Sequence, residues 1–242
     1  MSASNELQGA TTRAVAVLEL AHAAFRAANA RPELTFQQLL TLNFLARGMT
    51  THRAVRLLVE NGLNGEAAAT MRTLVELDID LAFILIKDTD VRFERFFDYE
   101  HVVMHRILEE NPDSMSEEKA QGVRQRYAAV RQNYPNPYRW IDLSIKKRAD
   151  AANRSSSYKT AYALGSGASH AGLGSLKYSV GSSADEITLY VESREPHPAL
   201  LEFSSNSLWR LTHSVASHLR LGIDDDLERV AKLLEAATHP GG

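Results

Sequence analysis

The chain has 242 residues, 44% of them hydrophobic and 24% charged, which suits a folded globular protein and excludes disordered and fibrous classes. Its net charge of -3 comes from interspersed acidic and basic residues, so a long polyanion would need a local basic patch rather than the field of the whole chain. With no Cys, disulfides, thiolate metal sites and cysteine nucleophiles are excluded together.

The N-terminal MSASNELQGATTRAVAVLELAHAAF lacks a basic stretch leading into an unbroken apolar core, and no segment offers the roughly 20 apolar residues of a membrane span. The expectation is a cytoplasmic protein without a membrane partner. From Thr11 to Asn29, Val15, Leu18, Ala21, His22 and Phe25 recur at helical spacing, and Pro32 closes this first helix. Two shorter helices are expected next, Thr35 to Ala46 and Thr50 to Glu60, divided by Gly48 and ended by Asn61-Gly62. A central helix then runs from Gly65 to Lys87, and Asp88-Thr89-Asp90 caps another from Val91 to Asn111, which Pro112 terminates.

Ser114 with Glu117 reads as a capping box for a polar surface helix, EEKAQGVRQRYAAVRQNY. The prolines of YPNPYRW, Tyr134 to Trp140, make that stretch a loop. A helix from Tyr158 to Ser169 leads into a Gly-rich run, HAGLGSLKYSVGSS, where a ligand-contacting loop is expected. Ile187 to Glu192 is expected to pair with Leu176 to Val180 in a small hairpin, an insertion within 176–192. Pro196 and Pro198 precede a long helix to Leu221, and Asp224-Asp225-Asp226 opens a last one ending near Ala237. The sum is an all-α fold: one helical domain over 1–242, about eight helices around a central buried one.

Three groups of polar residues stand out. In NGEAAATMRTLVELDIDLAFILIK, residues Arg72, Glu76 and Asp80 follow at i, i+4 spacing and form one polar stripe between apolar faces. Buried charges must be paired and contribute little net stability, so the stripe is a site candidate, with Arg72 and Glu76 both expected to be largely buried. Arg72 suits an anion clamp, and Glu76 would orient it or act as base. An intrahelical ion pair held by a neighbouring helix is the plainer reading of the same spacing.

The second group is Tyr158, Tyr162, Ser166 and His170, each four residues after the last, with Ser169 replacing Ser166 if Gly165 and Gly167 shift the phase. These are the candidate ligand-binding residues, together with Asp80. His170, Arg72 and Glu76 are the candidate catalytic ones. A buried, hydrogen-bonded His at a helix end is the plainer alternative. The third group is Glu94, Asp98, His101, His105 and Glu109 along one helix side; its His pair has a metal-ligand spacing, but the apolar face lies elsewhere, so a solvated stripe without metal is expected. Glu100 falls among the apolar residues of that helix and is expected to find a buried partner, Arg72 being the candidate. No metal and no cofactor are assigned.

The segments GLNGEAAATMRTLVELDIDLAFI, RFERFFDYE and YKTAYALGSGASH, together spanning roughly Gly62 to His170, resemble an uncharacterised bacterial all-α family of unknown function, some members of which neighbour defence genes. The resemblance implies an all-α fold with Arg72, Glu76, Tyr162 and His170 at matching positions, and no established activity. The likeness to HEPN-type helical ribonucleases is an analogy of fold. Those enzymes separate Arg and His by four to six residues, and Arg47 to His52 and Arg95 to His101 satisfy the spacing, a match that chance supplies in a chain with nine His. The functional expectation is a HEPN-like phosphate- or RNA-handling effector of bacterial stress or defence, acting as a homodimer on a small-molecule or RNA ligand. The alternative is a non-catalytic ligand-binding or scaffold protein.

Overall fold

The computed structural model describes residues 3–169, 180–182, 187–189 and 195–238. The fold is all-α. Helix α1 (Ala3–Asn29) is followed by α2 (Phe36–Glu60), α3 (Asn64–Ile86) and α4 (Thr89–Glu110). A 3₁₀ turn leads to α5 (Glu117–Val130), a second one (Arg131–Asn133) to a loop, and the loop to α6 (Ile145–Ala151). Then α7 (Ser155–Ser157) passes without interruption through a π-helical turn (Tyr158–Tyr162) into α8 (Ala163–Ala168). Helices α9 (Pro198–Leu219) and α10 (Asp224–Thr238) complete it.

Four long helices, α1, α2, α3 and α9, pack on one another. Around Leu45, Leu74, Leu81, Leu208 and Leu211 they enclose one apolar cluster, and around Val55, Met71, Val75, Ile79, Leu200 and Leu201 a second. Helix α10 lies on α1 and α9, α5 lies on α4, and α6 to α8 lie on α3. The placement follows from composition: α3 is apolar nearly all round, so it must be surrounded, whereas α5 has a thin apolar face, Ala120 and Val123, and covers only α4.

Gly48 does not divide a helix; α2 runs through it from Phe36 to Glu60. A Cβ on Gly48 would stand 2.4 Å from Leu211 Cδ2 and 3.4 Å from both Leu208 Cδ1 and Leu74 Cδ1, so the residue admits close approach of α9 and α3 rather than a break. Gly48→Ala is expected to destabilise the protein by about 1–2 kcal/mol, because overpacking outweighs the gain in helix propensity. A urea midpoint at or above that of the parent chain would contradict it.

Other boundaries moved for local reasons. Helix α2 begins with a capping box in which Gln38 N–H donates to Thr35 Oγ1 and Thr35 N–H donates to Gln38 Oε1. Ser114 is not a cap: it sits in the 3₁₀ turn, and Ser116 is the N-cap residue of α5, without a side-chain cap bond. Asp88 takes a left-handed conformation, φ 50°, and makes the turn into α4 without capping it by its side chain. The hairpin pairs Val180–Ser182 with Ile187–Leu189 antiparallel, Val180 opposite Leu189, while Leu176 to Ser179 and Tyr190 to Glu192 of the expected strands lie outside the described residues. Buried Asn64 fixes the approach to α9: its Nδ2 donates to Glu195 O at 2.9 Å, and its Oδ1 accepts from His197 N–H at 3.0 Å.

Candidate functional site

Helix α3 presents its polar residues to α6, α7, the π turn and α8. Arg72 Nε donates to Glu76 Oε1 at 3.2 Å, one turn along the same helix, and Arg72 Nη2 donates to Tyr162 Oη at 3.1 Å. The guanidinium lies over the Tyr162 ring, 4.9 Å from its centroid, and the Tyr158 ring stacks on Tyr162 at 5.1 Å. Among the described residues Nη1 carries no hydrogen bond. The sandwich exists because Gly165 lets α8 touch α3: a Cβ there would fall 2.5 Å from Ala68 O and 2.7 Å from Arg72 Cβ. The π turn, with its wider spacing, carries both tyrosines over that contact.

Arg72 and Glu76 are not largely buried; their side chains are 28% and 35% exposed. The short α8 covers the stripe from one side and leaves the other in water. Burial works against the charge on Arg72, but Glu76 and Tyr162 outweigh it and raise its pKa above the ordinary arginine value. Burial and the neighbouring Glu76 raise that of Tyr162, against Arg72, so Tyr162 is a neutral hydroxyl at physiological pH. Glu100 is exposed and plays no part in this cluster.

Deeper along α3 lie two ion pairs. Asp80 meets Arg148 of α6 at 2.8 Å, beside Trp140, over whose ring Arg148 lies. Asp78, fully buried, accepts from Arg154 Nε through both oxygens at 3.1 and 3.0 Å. Arg210 of α9 stands near the same carboxylate and donates to Ser157 Oγ. Burial pushes both carboxyls up to about 6, with Arg154 and Arg210 opposing this at Asp78 and Arg148 at Asp80. Sequence reading found Asp80 but not its partner, and it missed Asp78, Arg154 and Arg210. The available signal was Asp78 itself, an unmatched charge inside LVELDIDLAFILI.

Ser166 is partly exposed, and the exposed Ser169 returns its hydroxyl to Gly165 O at 2.8 Å, as at a helix end. His170 and the Gly172 to Ser179 part of the expected loop lie outside the described residues. On α4, His101 packs edge-on against Phe97, and His105 is not solvent-facing: it stacks on Tyr127 of α5 at 3.8 Å and is 16% exposed. Among the described residues no three His, Asp or Glu side chains are arranged to hold a metal ion. Neither Arg–His spacing forms a site: His52 is enclosed between Ser204 and Ala14, and Arg95 is engaged by the carbonyls of Asn133 and Trp140. A groove of about 330 Å³ between α1 and α10, lined by Ala16, Leu20, Ala23, Val230 and Leu233, contains none of the residues singled out above.

A family model matches residues 38–187, from within α2 to the first residue of the second strand, and its description is a family of unknown function, DUF5677. The chain belongs to that family. The matched region contains Arg72, Glu76, Asp78, Asp80, Arg148, Arg154 and both tyrosines, whereas α1, α9 and α10 lie outside it. No curated protein and no solved structure matches the chain.

Proposed function

We propose that the protein binds a phosphate-bearing ligand at Arg72. The observation that carries this reading is the guanidinium's arrangement: Glu76 and Tyr162 occupy Nε and Nη2, the ring stack fixes its plane, the side chain is partly exposed, and Nη1 has no hydrogen bond among the described residues. Such a pre-oriented fork is suited to phosphate oxygens, and the side chain loses little further freedom on binding. The π turn at this point supports the reading, since such turns occur frequently at functional sites.

Two forms of the proposal differ in chemistry. In the HEPN-like form the ligand is RNA, His170 transfers a proton, and the protein is a cytoplasmic, homodimeric effector of bacterial stress or defence; the all-α fold supports this, and no described helix is long and apolar enough to cross a membrane. In the non-catalytic form the same residues hold a ligand without turnover. The neutralisation of Arg72 by Glu76 favours that second form, because it lowers the positive potential available to a transition state.

Calorimetric titration with inorganic phosphate and with adenosine 5′-monophosphate tests the proposal. Arg72→Gln is expected to weaken binding about tenfold or more, the worth of one hydrogen bond to a charged group. Absence of binding to the parent chain, or equal binding by the variant, would overturn it. RNA cleavage lost in both Arg72→Gln and His170→Ala marks the catalytic form, and phosphate binding without cleavage marks the other.

A further inference from the structure

Charge is less evenly spread than the total suggests. Residues 119–159 contain ten Lys and Arg against two Asp, a net charge of +8, so the rest of the chain carries -11. Three of those ten are engaged in ion pairs: Arg124 with Glu117, Arg148 with Asp80 and Arg154 with Asp78. Arg131, Arg139, Lys146 and Lys147 are exposed and have no ion pair among the described residues.

Arg131 lies in the 3₁₀ turn after α5, Arg139 in the loop that follows and Lys146 and Lys147 in the first turn of α6, and the loop is tied to α4. Arg95 donates to both Asn133 O and Trp140 O, which ties the two ends of the loop to one side chain. Tyr99 and Arg106 both donate to Pro137 O, at 3.1 and 3.3 Å. The far end is tied by Arg148, which donates to Leu143 O and lies over Trp140. At the crest of the loop Tyr138 is 70% exposed, with Arg106 on one face of its ring at 4.2 Å. Glu94 and Asp98 line a small pocket with Asn133, and the exposed Asp142 lies within the strip.

We infer that the 131–147 strip binds single-stranded nucleic acid, the four cations following the phosphates and Tyr138 stacking on a base. An exposed aromatic ring flanked by unpaired cations on a fixed backbone is the arrangement that single strands use, whereas a membrane surface would call for more apolar area than one tyrosine. The strip shares no residue with the Arg72 site and stands independently of it.

Fluorescence anisotropy with labelled 15-mers of oligo(U) and oligo(dT), at 50 and 200 mM NaCl, tests the inference on the full chain. If four phosphates are neutralised at about 0.7 counterion each, the fourfold rise in salt should weaken binding by roughly 50-fold. The quadruple variant Arg131→Ala, Arg139→Ala, Lys146→Ala, Lys147→Ala should lose most of that salt dependence. Tyr138→Ala should weaken binding about fivefold or more with the salt slope unchanged. Circular dichroism establishes that both variants are folded, and charge reversal at Arg139 and Lys147 alone serves if the quadruple variant is not. Preference between the two oligomers decides RNA against DNA. No binding at 50 mM NaCl, or binding that the folded quadruple or charge-reversal variant retains in full, would overturn the inference.

Discussion

Replacing Asp78 with Ala is expected to lower the free energy of unfolding by about 3–5 kcal/mol, the range for removing one partner of a buried ion pair. The carboxylate is fully buried and is the only acidic group hydrogen-bonded to Arg154 among the described residues; Arg210, close by on α9, also depends on it. Burial already pulls the pKa of Arg210 down, with Asp78 opposing that and Arg154 adding to it, so the loss of Asp78 leaves two guanidinium groups facing each other. Glu76→Gln, two residues away on the same helix, should cost about 1 kcal/mol or less, since a pair roughly a third exposed is screened by water. Urea titration of both variants decides the matter. Equal losses would mean that burial does not separate the two pairs. The double variant Asp78→Leu, Arg154→Met should recover part of the loss, because apolar replacement of a whole buried pair is often neutral.

The contrast between those pairs marks where the sequence was legible. The i, i+4 spacing within α3 is local, so the Arg72–Glu76 pair could be read from it, as could the Tyr158–Tyr162 line that meets Arg72. The pairing of Asp78 with Arg154 spans 76 positions, and no periodicity encodes which of several arginines arrives there. Gly48 shows a different failure. A glycine between apolar runs reads as punctuation when only the chain is considered, yet here it exists for the Leu211 side chain of another helix. Likewise, the apolar stripe of α4 gave no reason to place His105 against Tyr127, because α5 is polar overall and its contact with α4 is made by few residues.

His52 provides the second large effect. It is fully buried between α1 and α9: Nε2 lies 3.0 Å from Ala14 O and Nδ1 lies 2.7 Å from Ser204 Oγ. A carbonyl only accepts, so Nε2 carries the proton and Ser204 donates to Nδ1; the neutral ring is satisfied on both sides and has no place for a second proton. Burial, with Arg56 adding to it and the Ala14 bond opposing, brings the pKa from 6.5 down to about 4. A base whose folded pKa is depressed costs nothing above its unfolded value and loses stability as pH falls from 6.5 to about 4, here about 3 kcal/mol. Asp78 and Asp80 act in the opposite direction, because their folded values near 6 exceed the ordinary 3.8 and each therefore gains stability as pH falls through that interval. Between pH 6 and 4.5 the two carboxyls together outweigh His52, so the three groups leave a net gain in stability as pH falls, smaller than the carboxyls alone would give. His52→Gln removes one side of the balance: whatever it costs at pH 7, its stability relative to the parent should rise by about 2–3 kcal/mol on going to pH 4.5. Paired urea titrations at the two pH values measure this difference directly, and parallel profiles for parent and variant would show that His52 takes up its proton in the fold as readily as in the unfolded chain.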